Sequence, residues 1–251
     1  MVGAMESPAE APASAADVRA ALAEAADADD AIFLQRFFKT GPGEYGEGDV
    51  FIGVRVPATR AVVKRFRALP PQGLDYDEID ALLDSPVHEH RLAGALLLVA
   101  RYPKDPDHVF DRYLAAVGRG RLNNWDLVDA SAEHIVGPQV RTGRTSGALL
   151  DELAASSDLW ERRVAVLATF DFIKNGDAGP TLRLAEALLG DRQDLMHKAV
   201  GWMLREVGKR VSREQLTGFL DAHAAAMPRT MLSYATEHLE PADRARYRAM
   251  R

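Results

Sequence analysis

Cysteine is absent from all 251 residues, which excludes disulfide staples, thiolate zinc sites and thiol nucleophiles. Long apolar runs are missing too. The longest, Ala95 to Ala100, falls far short of the roughly 20 residues that span a bilayer. Met1 to Ala11 carry neither a basic stretch nor an apolar run, so no secretory signal is visible. A soluble cytoplasmic protein with no membrane association is the expectation. The usual catalytic signatures are also lacking. The glycine-rich stretch Gly41–Gly48 has no Lys-Ser/Thr ending and no strand before it, so it is read as a loop joining helices rather than a phosphate loop. His88-Glu89-His90 spaces its histidines two apart, not the four that put two ligands on one helical face. Neither a metal nor any other cofactor is expected. No Ser-His-acid motif or nucleophile elbow occurs.

What is present is an apolar complement of 47%, enough for one large or two small domains with a substantial core. The net charge of −6 is unevenly placed. Residues 1–30 hold seven acids (Glu6, Glu10, Asp17, Glu24, Asp27, Asp29, Asp30) against Arg19 alone, which leaves 30 acids and 30 bases for residues 31–251. A neutral body can still carry one basic face, so composition permits a polyanionic partner without arguing for one.

The chain divides by its turn residues. Residues 1–16, rich in Ala, Pro and Ser, read as a disordered acidic tail, and residues 17–251 as a single domain. From Asp17 a helical pattern begins, marked by Val18, Leu22, Ile32, Phe33 and Phe37. Thr40 to Asp49 is an exposed loop, because four glycines and a proline cannot sustain a helix. Beyond Pro57 every segment has helical periodicity, punctuated at Pro70-Pro71, Ser85-Pro86, Gly118, Gly143, Gly179-Pro180 and Pro228. The fold class is all-α. Four related segments start at His90, Trp125, Arg162 and His197, separated by 35, 37 and 35 residues, with a shorter helix in each interval. Such a period with two helices per repeat is that of an α-solenoid, whose inner helices line a concave groove suited to duplex DNA. A plain helical bundle is the alternative.

Within this frame the informative stretch is Asn123-Asn124-Trp125-Asp126-Leu127-Val128-Asp129. On a helix Trp125 and Asp129 stand four apart and share a face, while Leu127 and Val128 turn toward a neighbour. Trp160-Glu161-Arg162-Arg163 opens the next long helix, and the one after it carries Trp202. If these are successive inner helices, Asp129, Arg163, Trp125 and Trp202 place an anion, a cation and two indoles along one groove. The alternatives are a solvated Asp129, a core Trp125, and arginines paired locally with Glu161 or Asp158. Gly201, beside Trp202, serves either close helix packing or backbone room for a strand of DNA.

At these residues the sequence resembles the AlkD family of alkylpurine DNA glycosylases, built from HEAT-like helical repeats. The resemblance runs from about Phe37 to Leu239. It is carried by four segments in order: FFKTGPGEYGEGDVFIGVRVP from Phe37, NNWDLVD from Asn123, LWERRVAV from Leu159 and HKAVGWMLREVG from His197. It implies hydrolysis of the N-glycosidic bond of cationic N3- or N7-alkylated purines in double-stranded DNA. Asp129 is then the catalytic carboxylate, Trp125 and Trp202 the active-site indoles, and Arg163 the active-site arginine, with Arg162 one residue away. The position of the family's N-terminal tyrosine falls on Phe37, with Phe38 and Tyr45 as other occupants. The resemblance further implies a monomer, no cofactor, and recognition from the backbone side with the base left in the stack. Arg163 would hold a phosphate near the lesion. Further DNA contacts are expected from Phe37, Lys39, Arg91, Arg162, Lys198 and Arg229.

Two other classes share the fold: a non-catalytic binder of DNA structures, which needs a basic groove without Asp129, and a protein-binding scaffold, which needs neither. Because the sequence offers no cysteine and no metal-ligand spacing, base release from methylated duplex is expected to proceed equally with and without chelator. Activity that vanishes in chelator and returns with a divalent ion overturns the metal-free reading.

Overall fold

The computed structural model describes residues 13–67 and 73–250. Among them all regular structure is helical, and one isolated parallel bridge joins Val50 to Val87. The expected tail lies outside the described residues as far as residue 12. Its last part does not belong to a tail. Ser14 caps the first helix, its side chain taking the Asp17 amide while the Asp17 carboxylate takes the Ser14 amide at 2.8 Å. This reciprocal box starts the helix two residues earlier than the apolar pattern indicates. The prolines at 70 and 71 also lie outside the described residues.

The chain forms two compact units that divide between Leu97 and Leu98. The first holds α1 (Ala15–Ala23), α2 (Ala28–Phe37), α3 (Val56–Phe66), α4 (Tyr76–Leu83) and the start of α5 (His88–Arg101). Val18 and Leu22 of α1 are fully buried, and α1 packs on α3 and α4. The loop from Thr40 to Asp49 is non-helical, as its glycines dictate, but its end is pinned. Asp49, 4% exposed, sits between His88 Nδ1 at 3.0 Å and Arg91 Nη2 at 2.6 Å. Glu89 accepts the amides of Ile52, Gly53 and Val54 at 2.9 to 3.1 Å through Oε1. Phe38, Phe51 and His88 stack beside them, with Phe51 and His88 4.4 Å apart. Gly53 is obligatory here: its φ is +85°, and a Cβ would strike the Asp27 carbonyl. The His88-Glu89-His90 motif is therefore a loop anchor. His90 completes it by meeting Ser85 Oγ at 2.9 Å, and burial beside Arg19 holds its imidazole down at about 4, so it is neutral at pH 7.

The second unit contains the rest of α5, then α6 (Pro106–Gly118), α7 (Trp125–Asp129), α8 (Ala132–Arg141), α9 (Ala148–Ala154), α10 (Leu159–Lys174), α11 (Gly179–Ala187), α12 (Asp194–Arg210), α13 (Arg213–His223), α14 (Arg229–Ala235) and α15 (Pro241–Ala249). α8, α10, α12 and α14 pack each on the next, while α9, α11 and α13 pack alongside α10 and α12. α10 is enclosed over most of its circumference. Residues 163–170 are all buried, and its apolar pattern accordingly has little amphipathic bias. α10, α12 and α14 begin 35 residues apart, at Leu159, Asp194 and Arg229, which is the period seen in the sequence.

The segment from Trp125 was expected as one helix, and the structure divides it. α7 ends at Asp129 and α8 begins at Ala132. Between them Ser131 Oγ donates to the Leu127 carbonyl at 2.6 Å and meets the buried Tyr113 hydroxyl at 2.9 Å. A serine that bonds backbone in this way competes with helix propagation.

Close packing also decides the role of Gly201. A Cβ there would lie 2.5 Å from the Met231 carbonyl oxygen and 2.6 Å from Tyr234 Cβ, so the glycine lets α12 and α14 approach. It does not make room for DNA. Gly201→Ala is expected to cost about 1–3 kcal/mol through overpacking. Gly218→Ala, on α13 with nothing within 4 Å, is expected to gain up to about 1 kcal/mol from helix propensity. Urea midpoints of the two variants check the pair, and equal shifts refute the packing account.

Candidate functional site

Local sequence sets the first element. Asn124 is fully buried and N-caps α7, its Oδ1 accepting the Trp125 amide at 2.9 Å. Leu127 and Val128 are fully buried against the interior. That leaves Trp125 and Asp129, both half-buried, on the remaining face at the start and end of a five-residue helix. The early stop at Ser131 matters because it leaves the Asp129 carboxylate at a helix end.

The second element supplies the counter-charge. Arg163 is in the first turn and a half of α10 and only 4% exposed. Its guanidinium forks onto Asp129, Nε to Oδ1 at 2.8 Å and Nη2 to Oδ2 at 2.8 Å. Its third nitrogen, Nη1, donates to the Leu195 carbonyl of α12 at 2.6 Å. One arginine thus ties α7, α10 and α12 together through planar, bidentate geometry that lysine cannot reproduce. The Asp129 side chain keeps 18% of its surface accessible, so a reactant can reach it. Burial raises the Asp129 carboxyl above its ordinary value, Arg163 pulls it back, and Asp126 adds a smaller upward push.

The third element carries the indole. Trp202 stands seven residues beyond Leu195 and therefore on the same face of α12, two turns along. It is half-buried and tilted at 59° against Phe170, with ring centroids 5.9 Å apart. Phe170 also lies under Lys174 Nζ at 4.6 Å and Arg210 Cζ at 5.3 Å. Phe170, Ser131 and Tyr113 were not among the residues expected at the site. Only the seven-residue step from Arg163 to Phe170 on one helical face signalled the first of them.

The geometry is that of a partly shielded carboxylate locked by a buried arginine, and the comparisons identify its setting. Residues 18–239 match the profile of a family described as DNA alkylation repair enzyme. The chain belongs to that family. A solved structure titled "Predicted DNA alkylation repair enzyme from Enterococcus faecalis" superposes with a TM-score of 0.67, covering 86% of this chain and 97% of that one at 16% identity. At that identity the likeness shows the fold alone. No curated protein matches the sequence. Membership of a DNA repair family makes DNA the substrate. Among the described residues no helix is long and apolar enough to cross a membrane.

The residues expected to touch DNA separate into two groups. Phe37 is 53% exposed and stacks on Phe33, and Lys39 beside it is exposed with φ +52°. Arg229 is exposed and donates to the Arg248 carbonyl, while Lys198 pairs with Asp194 at 2.8 Å and stays half-exposed. These four can meet a ligand. Arg91 cannot: it is 3% exposed and bound to Asp49, so it supports the loop and not a phosphate. Arg162 is likewise engaged, with Nε on Asp191 at 2.7 Å and Nη1 on the Ser156 and Ser157 carbonyls. Arg163 also departs from expectation, since its fork faces Asp129 and not outward toward a phosphate. The adjacent arginines do different work: Arg162 staples a loop and Arg163 orients the carboxylate.

Arg163→Met removes the counter-charge and leaves burial of Asp129 unopposed. The carboxyl then rises further, and stability falls by about 2–4 kcal/mol, somewhat less than for a wholly enclosed pair. The sign of the pH effect follows. A folded-state value raised above the unfolded one means that stability declines as pH climbs through that interval. The deficit relative to wild type is therefore expected to be larger at pH 7 than nearer 3.8, the ordinary value. Urea unfolding at a series of pH values measures it, and a pH-independent deficit contradicts the assignment.

Proposed function

We propose that this protein hydrolyses the N-glycosidic bond of cationic N3- or N7-alkylated purines in duplex DNA, with Asp129 as the catalytic carboxylate. The observation that carries the reading is the Arg163 fork, which holds a reachable carboxylate in one orientation at a buried position. Keeping an ion pair in such a place is costly, and replacing it with apolar side chains is often neutral or stabilising. Groups with shifted ionisation concentrate at functional sites. A scaffold that only binds protein has no use for this arrangement.

The chemistry suits the residues. An alkylated purine already carries positive charge, so its departure as a neutral base needs no general acid. Positive charge develops on the sugar as the bond breaks. A preoriented carboxylate stabilises that charge and can position or deprotonate the attacking water. Trp125 and Trp202 present electron-rich faces that favour a cationic sugar. Arg163 is a positioning residue in this scheme: it sets the direction of Asp129 and keeps it ionised against the pull of burial. The reading takes the successive helices α8, α10, α12 and α14 as the inner layer of HEAT-like repeats lining a DNA groove. Phe37, Lys39, Lys198 and Arg229 are the remaining candidate contacts to the duplex. The reaction calls for no cofactor, and a monomer suffices for it.

Asp129→Asn keeps the shape of the side chain and removes its charge. Single-turnover release of 7-methylguanine is expected to slow by on the order of 10²–10³, while affinity for an abasic-site analogue holds or rises. Because the ionised form is the active one, the wild-type rate is expected to fall as pH drops through the raised Asp129 value. Rates are read above spontaneous depurination. Normal excision by Asp129→Asn would falsify the proposal.

A further inference from the structure

The accessible stripe of α12 continues past Trp202. Positions 195, 198, 202, 205 and 209 recur at three- and four-residue steps, so Leu195, Lys198, Trp202, Arg205 and Lys209 share one face. None of these five is among the buried residues of α12. At its C-terminal end the stripe enters a cleft of about 270 Å³. Arg205, Lys209, Arg213 and His238 line it together with the buried Leu216 and Leu239, and no carboxylate is among the lining residues.

The cations are not equally committed. Arg205 donates to Glu237 and Glu206, and Arg213 reaches Asp243 at 3.1 Å. Among the described residues, the side chains of Lys209 and His238 meet no hydrogen-bond or ion-pair partner. Arg205 Nε is a buried donor without an acceptor. Other buried polar atoms share that state among the described residues, Arg91 Nε included, so the unpartnered Lys209 and His238 carry the argument. The C-terminal dipole of α12 explains a preference for Lys209 and Arg210 there. It does not explain Arg213 and His238, which come from other segments.

Size and position narrow the ligand. The cleft lies near the lower bound of the roughly 300–1,000 Å³ of small-molecule sites, and its lining of cations without a carboxylate favours an anionic group, which on the proposed function is a phosphate of the polymer. Lys209 lies seven residues from Trp202, about 10 Å along the helix at 1.5 Å per residue. A duplex whose axis follows α12 advances 3.4 Å per nucleotide, so in that orientation the span is about three nucleotides.

We propose that the cleft of Arg205, Lys209, Arg213 and His238 holds a backbone phosphate of duplex DNA about three nucleotides from the sugar at Trp202. This rests on the function proposed above and adds a flanking contact that sets the protein's register on the duplex. The cleft reads charge and spacing, not base sequence.

The test uses the full chain and an undamaged duplex two helical turns long, with equilibrium binding measured across a salt series. Lys209→Ala/Arg213→Ala is expected to flatten the slope of log affinity against log salt by about 0.9 for each phosphate no longer neutralised, and to weaken binding roughly tenfold near physiological salt. Its single-turnover rate at saturating DNA is expected to match wild type. Shortening the duplex from the end that reaches the cleft is expected to erase the difference between variant and wild type. Lys209→Glu, a change at an exposed side chain without partners, keeps the test available if the double variant is unstable. An unchanged slope and affinity in both variants overturns the proposal, as does a difference that survives shortening from either end. Asp129→Asn separates the two readings. If it excises normally while the cleft variants lose affinity, the catalytic assignment falls and the cleft stands. If wild type does not bind duplex, both fall.

Discussion

The arrangement around Asp129 depends on one guanidinium. Arg163 is buried on α10, and its donors reach α7 through Asp129 and α12 through the Leu195 carbonyl. A planar fork with fixed angles converts helix packing into a defined carboxylate orientation. The surrounding core makes that possible, since α10 is enclosed by apolar neighbours and cannot rotate to relieve an imperfect bond. The result is a charged pair in a setting where each partner is costly without the other. Loss of either charge therefore strands the other and lowers stability, and in the proposed reaction each loss acts on chemistry as well.

A second polar cluster does comparable work in the first unit with the opposite outcome. Asp49, His88, Glu89 and Arg91 are nearly inaccessible and bind one another or loop amides. They hold residues 49–54 in shape and present nothing to solvent. The contrast is instructive because both clusters contain an acid and an arginine. The difference lies in access: Asp129 keeps 18% of its side-chain surface, while Asp49 keeps 1%. Charge chemistry needs a route for the reactant, and only the Asp129 site has one.

Much of this was legible in the residues, and the failures are specific. Helical class followed from periodicity, and the 35-residue step survives in the starts of α10, α12 and α14. Asp129, Arg163, Trp125 and Trp202 were singled out by motif, and the structure joins the first two directly. The break after Asp129 was invisible, because Ala130 and Ser131 carry no obvious stop signal. It depends on Tyr113, eighteen residues upstream, offering a buried hydroxyl to Ser131. Sequence alone makes groove cations of Arg91, Arg162 and Arg163, yet each is drawn inward by an acid distant in sequence: Asp49, Asp191 and Asp129. The cations of the α12 cleft leave no motif in the sequence because they are scattered over three segments.

Sequence by itself determined the helical class, the absence of thiol chemistry, the places where Gly and Pro interrupt the chain, and which residue types are available for catalysis. These follow from local propensity and composition, which need no partner. Tertiary structure alone decided which arginine meets which carboxylate, that Gly201 serves a helix contact, and that Asp129 ends a helix with its side chain accessible. Those outcomes depend on distances between residues dozens of positions apart. Helical periodicity tells which way a side chain points from its own axis, but not what waits on the helix opposite.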